Sequence, residues 1–273
     1  MNQATIPQPV NRGRWRKIAG REYYILRRRW KWIVGKQHWA KQTSQQPFAH
    51  KVFAHKSVIL RQLNGVHMVW QENKRTNLQI AISHLNGILI RPDETFSFWK
   101  RVGRPTMRKG YLEGLVLDNG KISSGTGGGL CQLGNLLFWI FAHSKLGITE
   151  RHRHGFDVFP DSGRTVPFGA GATLSYNHVD LQAHNNTGNT FHLQLWLDDT
   201  HLHGALTSLE PECGIIRVEE RNHIMQQQFW GGYSRHNQIV QITEQNGEIT
   251  ETLLAENHAL IMYSPFLEEQ RSQ

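Results

Sequence analysis

The chain has 273 residues, enough for one large domain or two small ones, and 38% hydrophobic content with 9 Trp excludes a disordered composition. Residues 1–60 carry 13 Lys/Arg and one acid, Glu22, while residues 61–273 carry 18 Lys/Arg and 21 acids; the nets of +12 and −3 sum to the overall +9. The basic character belongs to the N-terminal part, so the pI gives no argument for nucleic-acid binding by the whole protein, and the two cysteines, Cys131 and Cys213, exclude a disulfide framework and suit a reducing compartment.

Residues 1–12, with Pro7 and Pro9, read as a tail. Residues 13–41 read as a helical stretch in which Trp15, Tyr23, Tyr24, Trp30 and Trp32 are interleaved with Arg27, Arg28, Arg29 and Lys31. Such a helix suits an anionic membrane surface, stacking on bases, or simple docking of its apolar face with the cations solvated. The membrane surface is the expected partner, and no specific nucleic acid is expected. No secretory signal is visible, and no run approaches the roughly 20 apolar residues of a membrane span; residues 136–142 come nearest. A cytoplasmic protein, at most peripheral at the membrane, is therefore expected.

Residues 57–70 alternate like a strand. Leu78, Ala81, Ile82, Leu85 and Ile88 then recur at helical spacing over 73–89, with Asn86-Gly87 as C-cap and Pro92 barring continuation. Asn119-Gly120 between apolar residues predicts a hairpin over 116–122. A Gly-rich loop over 123–129 leads into a helix predicted over 131–147, apolar nearly all round and so buried, with Gly147 as its C-cap. Strands are predicted over 173–176, 179–183 and 191–197, with a turn at 185–188, and over 238–243 and 250–254 around Asn246-Gly247. The resulting class is α+β, with mainly antiparallel strands around a central buried helix that starts at the motif Gly-Gly-Gly-x-Cys-Gln. The expected division is a basic aromatic extension over 1–56, a main domain over 57–200 and a β-rich C-terminal extension over 201–273.

That motif is Gly127-Gly128-Gly129-Leu130-Cys131-Gln132. Three glycines allow positive φ and close approach by a backbone or a ligand. They lead into a helix N-terminus, where the dipole favours a thiolate, so Cys131 is a candidate nucleophile. Gln132 is a candidate oxyanion donor beside it. The bland alternative is a small cysteine packed in a helix. Downstream, His152 and His154 share a strand face, and Asp180 on a predicted strand is a candidate to orient an imidazole. Cys131 with the two histidines as zinc ligands is a weaker reading. No metal and no cofactor are expected.

The segments Gln71-Glu72-Asn73-Lys74, Glu94-Thr95-Phe96-Ser97-Phe98-Trp99, Gly127 to Gln132, Asn135-Leu136-Leu137-Phe138-Trp139, His154, Asp180-Leu181 and Asn185-Asn186-Thr187 together resemble the VanW family over about residues 60–200. The resemblance implies a cell-wall accessory protein linked to glycopeptide resistance. Exported members resemble peptidoglycan L,D-transpeptidases that use the motif cysteine, which implies Cys131 as nucleophile and His154 as base. The candidate substrate and oxyanion contacts are Gly127, Gly128, Gly129, Gln132 and Asn135. Family members often carry Gly-x-Asp where this chain has Gly169-Ala170-Gly171, so one acid is missing. Two functions follow as expectations. One is a cysteine acyltransferase or amidase acting on peptidoglycan peptides. The other is a non-catalytic protein that binds a peptidoglycan precursor or a resistance partner.

Overall fold

The computed structural model of the protein describes residues 13–60, 68–118, 120–158 and 165–263. The tail expected at 1–12 and residues 61–67 of the strand expected over 57–70 lie outside the described residues, as does Asn119 of the hairpin turn. In chain order the elements are α1 (Arg14–Val34), β1 (His38–Trp39), β2 (His50–Val58), α2 (Met68–Leu85), β3 (Leu89–Ile90), β4 (Glu94–Ser97), α3 (Phe98–Val102) and a 3-10 turn η1 (Met107–Lys109). They continue with β5 (Glu113–Asp118), β6 (Lys121–Thr126), α4 (Cys131–Ala142), β7 (Gly147–Glu150), β8 (Phe156–Asp157) and β9 (Gln182–His184). The C-terminal part holds β10 (Phe191–Leu197), β11 (His201–Ser208), β12 (Ile215–Gln227), β13 (Tyr233–Gln245) and β14 (Glu248–Ile261).

The chain divides into two compact units, Met1–Gln37 and His38–Gln273. Helix α1 belongs to the first and leaves Trp15, Tyr23, Trp30 and Ile33 exposed. Among the described residues no helix is long and apolar enough to cross a membrane.

The second unit contains three four-stranded sheets, β1-β4-β9-β7, β2-β11-β10-β3 and β12-β13-β14-β8, and the hairpin β5-β6. Strand pairing is antiparallel except for β1 with β4 and β14 with β8, so the class is α+β, as the sequence predicts. Strand β2 runs across residue 56 and pairs along its length with β11, which starts at His201. One sheet therefore joins segments on both sides of the boundaries expected at 56/57 and 200/201.

Helix α2 buries the predicted stripe of Leu78, Ala81, Ile82 and Leu85. It starts at Met68, earlier than predicted, so the end of the strand expected over 57–70 is helical. Its exit turn needs glycine: Gly87 has φ 80, and a Cβ there would lie 2.4 Å from the Ser44 carbonyl oxygen. Helix α4 buries every residue from Leu136 to Ala142 and packs on β2, β11 and β7. Each fully buried Leu or Phe there contributes about 1.5–3 kcal/mol. Close approach to β11 is allowed by Gly204, whose Cβ would lie 2.6 Å from Ile140 Cδ1.

The end of α4 differs from the prediction. It stops at Ala142, and His143 accepts the C-cap position while its Nδ1 contacts the Trp139 carbonyl at 2.8 Å. Gly147 is not a cap; it opens β7 and pairs with His184. The strands expected over 173–176 and 179–183 shrink to a single bridge, Ser175 with Val179, before β9. Strands β13 and β14 extend well beyond 238–243 and 250–254, because each pairs with the other along its whole length, and the 13-residue β12 beside them was not predicted.

Candidate functional site

Each glycine of the motif is closely approached by protein on the side a Cβ would occupy. Asn77, fully buried on α2, donates to the carbonyls of Gly128 at 2.9 Å and Leu112 at 3.0 Å, and its oxygen accepts from the Leu112 N–H at 2.8 Å. This amide stitches the loop to the start of β5. At Gly128 a Cβ would lie 2.1 Å from the backbone of Gly114, where two chains cross with no room for a side chain. Gly127 (φ +78) faces Pro105, and Gly129 (φ +91) lies under the Lys74 side chain, whose Cγ would be 2.3 Å from an added Cβ. The Gly-rich loop is also shorter than predicted, since residues 123–126 belong to β6.

Cys131 is the first residue of α4 and is half-buried. Its S–H donates to the Leu174 carbonyl oxygen at 3.8 Å, a contact only the protonated thiol makes. Burial pushes the thiol pKa up, against the direction of the helix N-terminal field that the sequence singles out. Gln132 is committed elsewhere: its amide donates to Ser57 Oγ at 2.9 Å and the Val58 carbonyl at 2.8 Å, tying α4 to β2. Asn135 accepts from the Ala172 N–H at 2.9 Å. A Cβ at Gly171 would lie 2.3 Å from Asn135 Oδ1, so the amide occupies the space a larger residue at 171 needs.

His154 is half-buried, and burial followed by the Arg153 charge lowers its pKa, which keeps the imidazole neutral. Asp180 is buried and accepts from Ser97 Oγ at 2.6 Å, the Trp99 N–H at 3.0 Å, the Leu181 N–H at 2.9 Å and Gln182 Nε2 at 3.1 Å. Ser97 is itself the N-cap of α3 and accepts from the Lys100 N–H at 3.2 Å, so Asp180 extends that cap. Its partners leave the orienting role predicted for it without an imidazole: among the described residues no hydrogen bond joins His154 to Cys131 or to Asp180. His152 faces Glu150 at 3.5 Å. Among the described residues no group of three or more His, Cys, Asp or Glu is arranged to hold a metal ion.

A second polar cluster escaped the sequence reading. Arg151 donates to the Gly171 carbonyl at 2.8 Å, to Asn257 Oδ1 at 2.8 Å and to the Gly169 carbonyl. Burial lowers its pKa to about 10. Asn257 donates to Asn237 Oδ1 at 2.8 Å, and Asn237 donates to the Phe168 carbonyl at 2.5 Å. These side chains clamp residues 168–171 onto β13 and β14. The sequence carries no mark of it, because the burial of Asn237 and Asn257 and the register that sets them opposite each other are properties of the fold.

A family model described as "VanW like protein" matches residues 73–207. The chain is 32% identical over 228 residues to the vancomycin B-type resistance protein VanW of Enterococcus faecalis, covering 82% of each chain. It is 32% identical over 114 residues to the uncharacterized protein YoaR of Bacillus subtilis, covering 42% of this chain and 36% of that one. No solved structure gives a match.

Proposed function

The chain belongs to the VanW family, and from that premise we propose that it is a glycopeptide-resistance accessory protein that acts by binding rather than by thiol chemistry. Its ligand class in this reading is a peptidoglycan precursor or a partner resistance protein, and α1 brings it to anionic membrane surfaces. The resistance association rests on the printed name of the enterococcal relative. The observation that carries the binding role is the packing of Cys131: its Sγ lies 3.8 Å from the Leu174 carbonyl oxygen, and burial raises its pKa. The neighbouring Gln132 and Asn135 add support, since their amides hold β2 and the 172 backbone instead of facing an incoming carbonyl.

A second reading, cysteine acyl transfer on a peptidoglycan peptide, has two observations in its favour. Cys131 opens α4, where a field of about half a positive charge favours thiolate, and the neutral His154 suits a base. Alkylation of single-cysteine variants across pH 5–9 separates the two. The binding reading expects Cys131 to react more slowly than Cys213, which is exposed, and Cys131→Ala to retain the resistance phenotype in a complementation assay. Fast alkylation at neutral pH that depends on His154, with loss of phenotype in Cys131→Ala, overturns it.

A further inference from the structure

Between residues 95 and 112 the chain carries five cations, Lys100, Arg101, Arg104, Arg108 and Lys109, and no acid. The rest of residues 61–273 carries 13 Lys/Arg, from 18 minus 5, against 21 acids. The mildly acidic stretch 61–273 has thus gathered positive charge on one short segment, which includes α3 and η1. The structure extends this cluster across the chain. Arg101 donates to the Lys41 carbonyl at 3.2 Å and to the His84 carbonyl at 3.3 Å, drawing Lys41 and the end of α2 onto the same surface. The Lys109 ammonium lies over Gly103, 3.0 Å from where a Cβ would stand. Lys100 sits over the Trp39 ring at 5.0 Å. Arg108 and Lys109 are exposed, beside Met107.

The charges act on each other. After burial, Lys109 and Arg101 lower the pKa of His84, and Lys41 lowers that of Lys100. The nearest acids along the chain on the N-terminal side are engaged: Asp93 bonds His38 at 2.8 Å, and Glu94 accepts from the Arg91 N–H at 3.0 Å. Like charges on one surface repel one another, and a multiply charged anion relieves that repulsion on binding. Guanidinium forks match the oxygens of a phosphate group, which concentrates more charge than a carboxylate does. Pro105, in the middle of the segment, covers Gly127, so the ridge adjoins the Gly-rich loop.

We propose that this ridge is a binding site for a phosphate- or diphosphate-bearing group, with Arg108 and Lys109 as exposed contacts and Arg101 as the fixed cation behind them. The proposal goes beyond the binding role above and does not depend on the state of Cys131. The test titrates the full chain with inorganic pyrophosphate at constant ionic strength and follows the His84 ring resonance by NMR. A parallel arm uses phosphatidylglycerol vesicles against phosphatidylcholine vesicles and separates a lipid headgroup from a free phosphate as the source. Expected is a saturable shift with a rise in the His84 pKa in at least one arm. Replacing Arg108 and Lys109 together by Ala should weaken that binding by about tenfold or more. The NMR spectrum of the double variant must otherwise match the parent, which keeps loss of folding distinct from loss of binding. A His84 resonance unmoved in both arms overturns the proposal, and so does binding that the double variant retains in full, which would assign the anion to the cations of α1.

Discussion

Gly128→Ala tests whether the Gly-rich motif is a packing device. The added Cβ would stand 2.1 Å from the Gly114 carbonyl carbon and oxygen, both backbone atoms, so neither side relaxes by a rotamer change. Separating the two strands to van der Waals contact requires a backbone shift of more than about 1 Å, and overpacking of this kind costs about 1–3 kcal/mol. The same shift pulls the Gly128 carbonyl from Asn77, whose buried amide also holds Leu112. A buried donor left short of its acceptor costs about 1–3 kcal/mol more. The expected loss is about 3–5 kcal/mol, read as a fall of about 1–2 M in the urea midpoint at an unchanged slope. Gly188→Ala is the control, since nothing lies within 4 Å of its Cβ position. Equal midpoints for the two variants would refute the packing argument, and a Gly128→Ala protein of normal stability that fails to function would return the loop to a ligand-binding role.

Asp180 gives a pH prediction. Burial raises its carboxyl from 3.8 to about 6, so the folded state holds a proton that the unfolded chain releases, and its contribution to stability falls as pH rises between about 4 and 6. The linkage amounts to at most about 3 kcal/mol, and Asp180→Asn should flatten this part of the stability–pH curve while lowering its overall level. An unchanged slope in Asp180→Asn would assign the titration to other groups. For α1, replacing Arg27, Arg28 and Lys31 by Glu in the full chain should strongly reduce sedimentation with phosphatidylglycerol vesicles; each cation near an anionic surface is worth about 1 kcal/mol. Undiminished binding by that variant would remove the membrane role of α1.

What the sequence made legible was local. The apolar spacing of Leu78, Ala81, Ile82 and Leu85 located α2, the Asn-Gly pair located the β5-β6 hairpin, and α4 starts at Cys131 as its pattern demanded. Ends were less legible, because they depend on partners far along the chain. Gly147 has the chemistry of a C-cap, but pairing with His184 makes it the first residue of a strand. Strand β12 is largely polar and exposed along most of its length, and only its pairing with β13 extends it to 13 residues. The candidate site was least legible. The chain order of Cys131, His154 and Asp180 carries no information about distance, and the carboxylate of Asp180 is used by the backbone and side chains that begin α3.

The residues that mark the family in the sequence are, in this structure, residues that join segments. Gln132 ties α4 to β2, Asn135 holds the Ala172 N–H, and Asp180 closes the start of α3. Each is a polar group with at least one backbone partner, and at the buried Asp180 a mismatch leaves an acceptor unpaired. Selection for folding alone is enough to fix such positions, so a motif built from them identifies the fold before it identifies a reaction. A search for activity should therefore turn to groups whose placement folding does not explain. The exposed Arg108 and Lys109 are the clearest case: Lys109 adds a positive charge that lowers the pKa of His84, a repulsion that a bound anion would relieve.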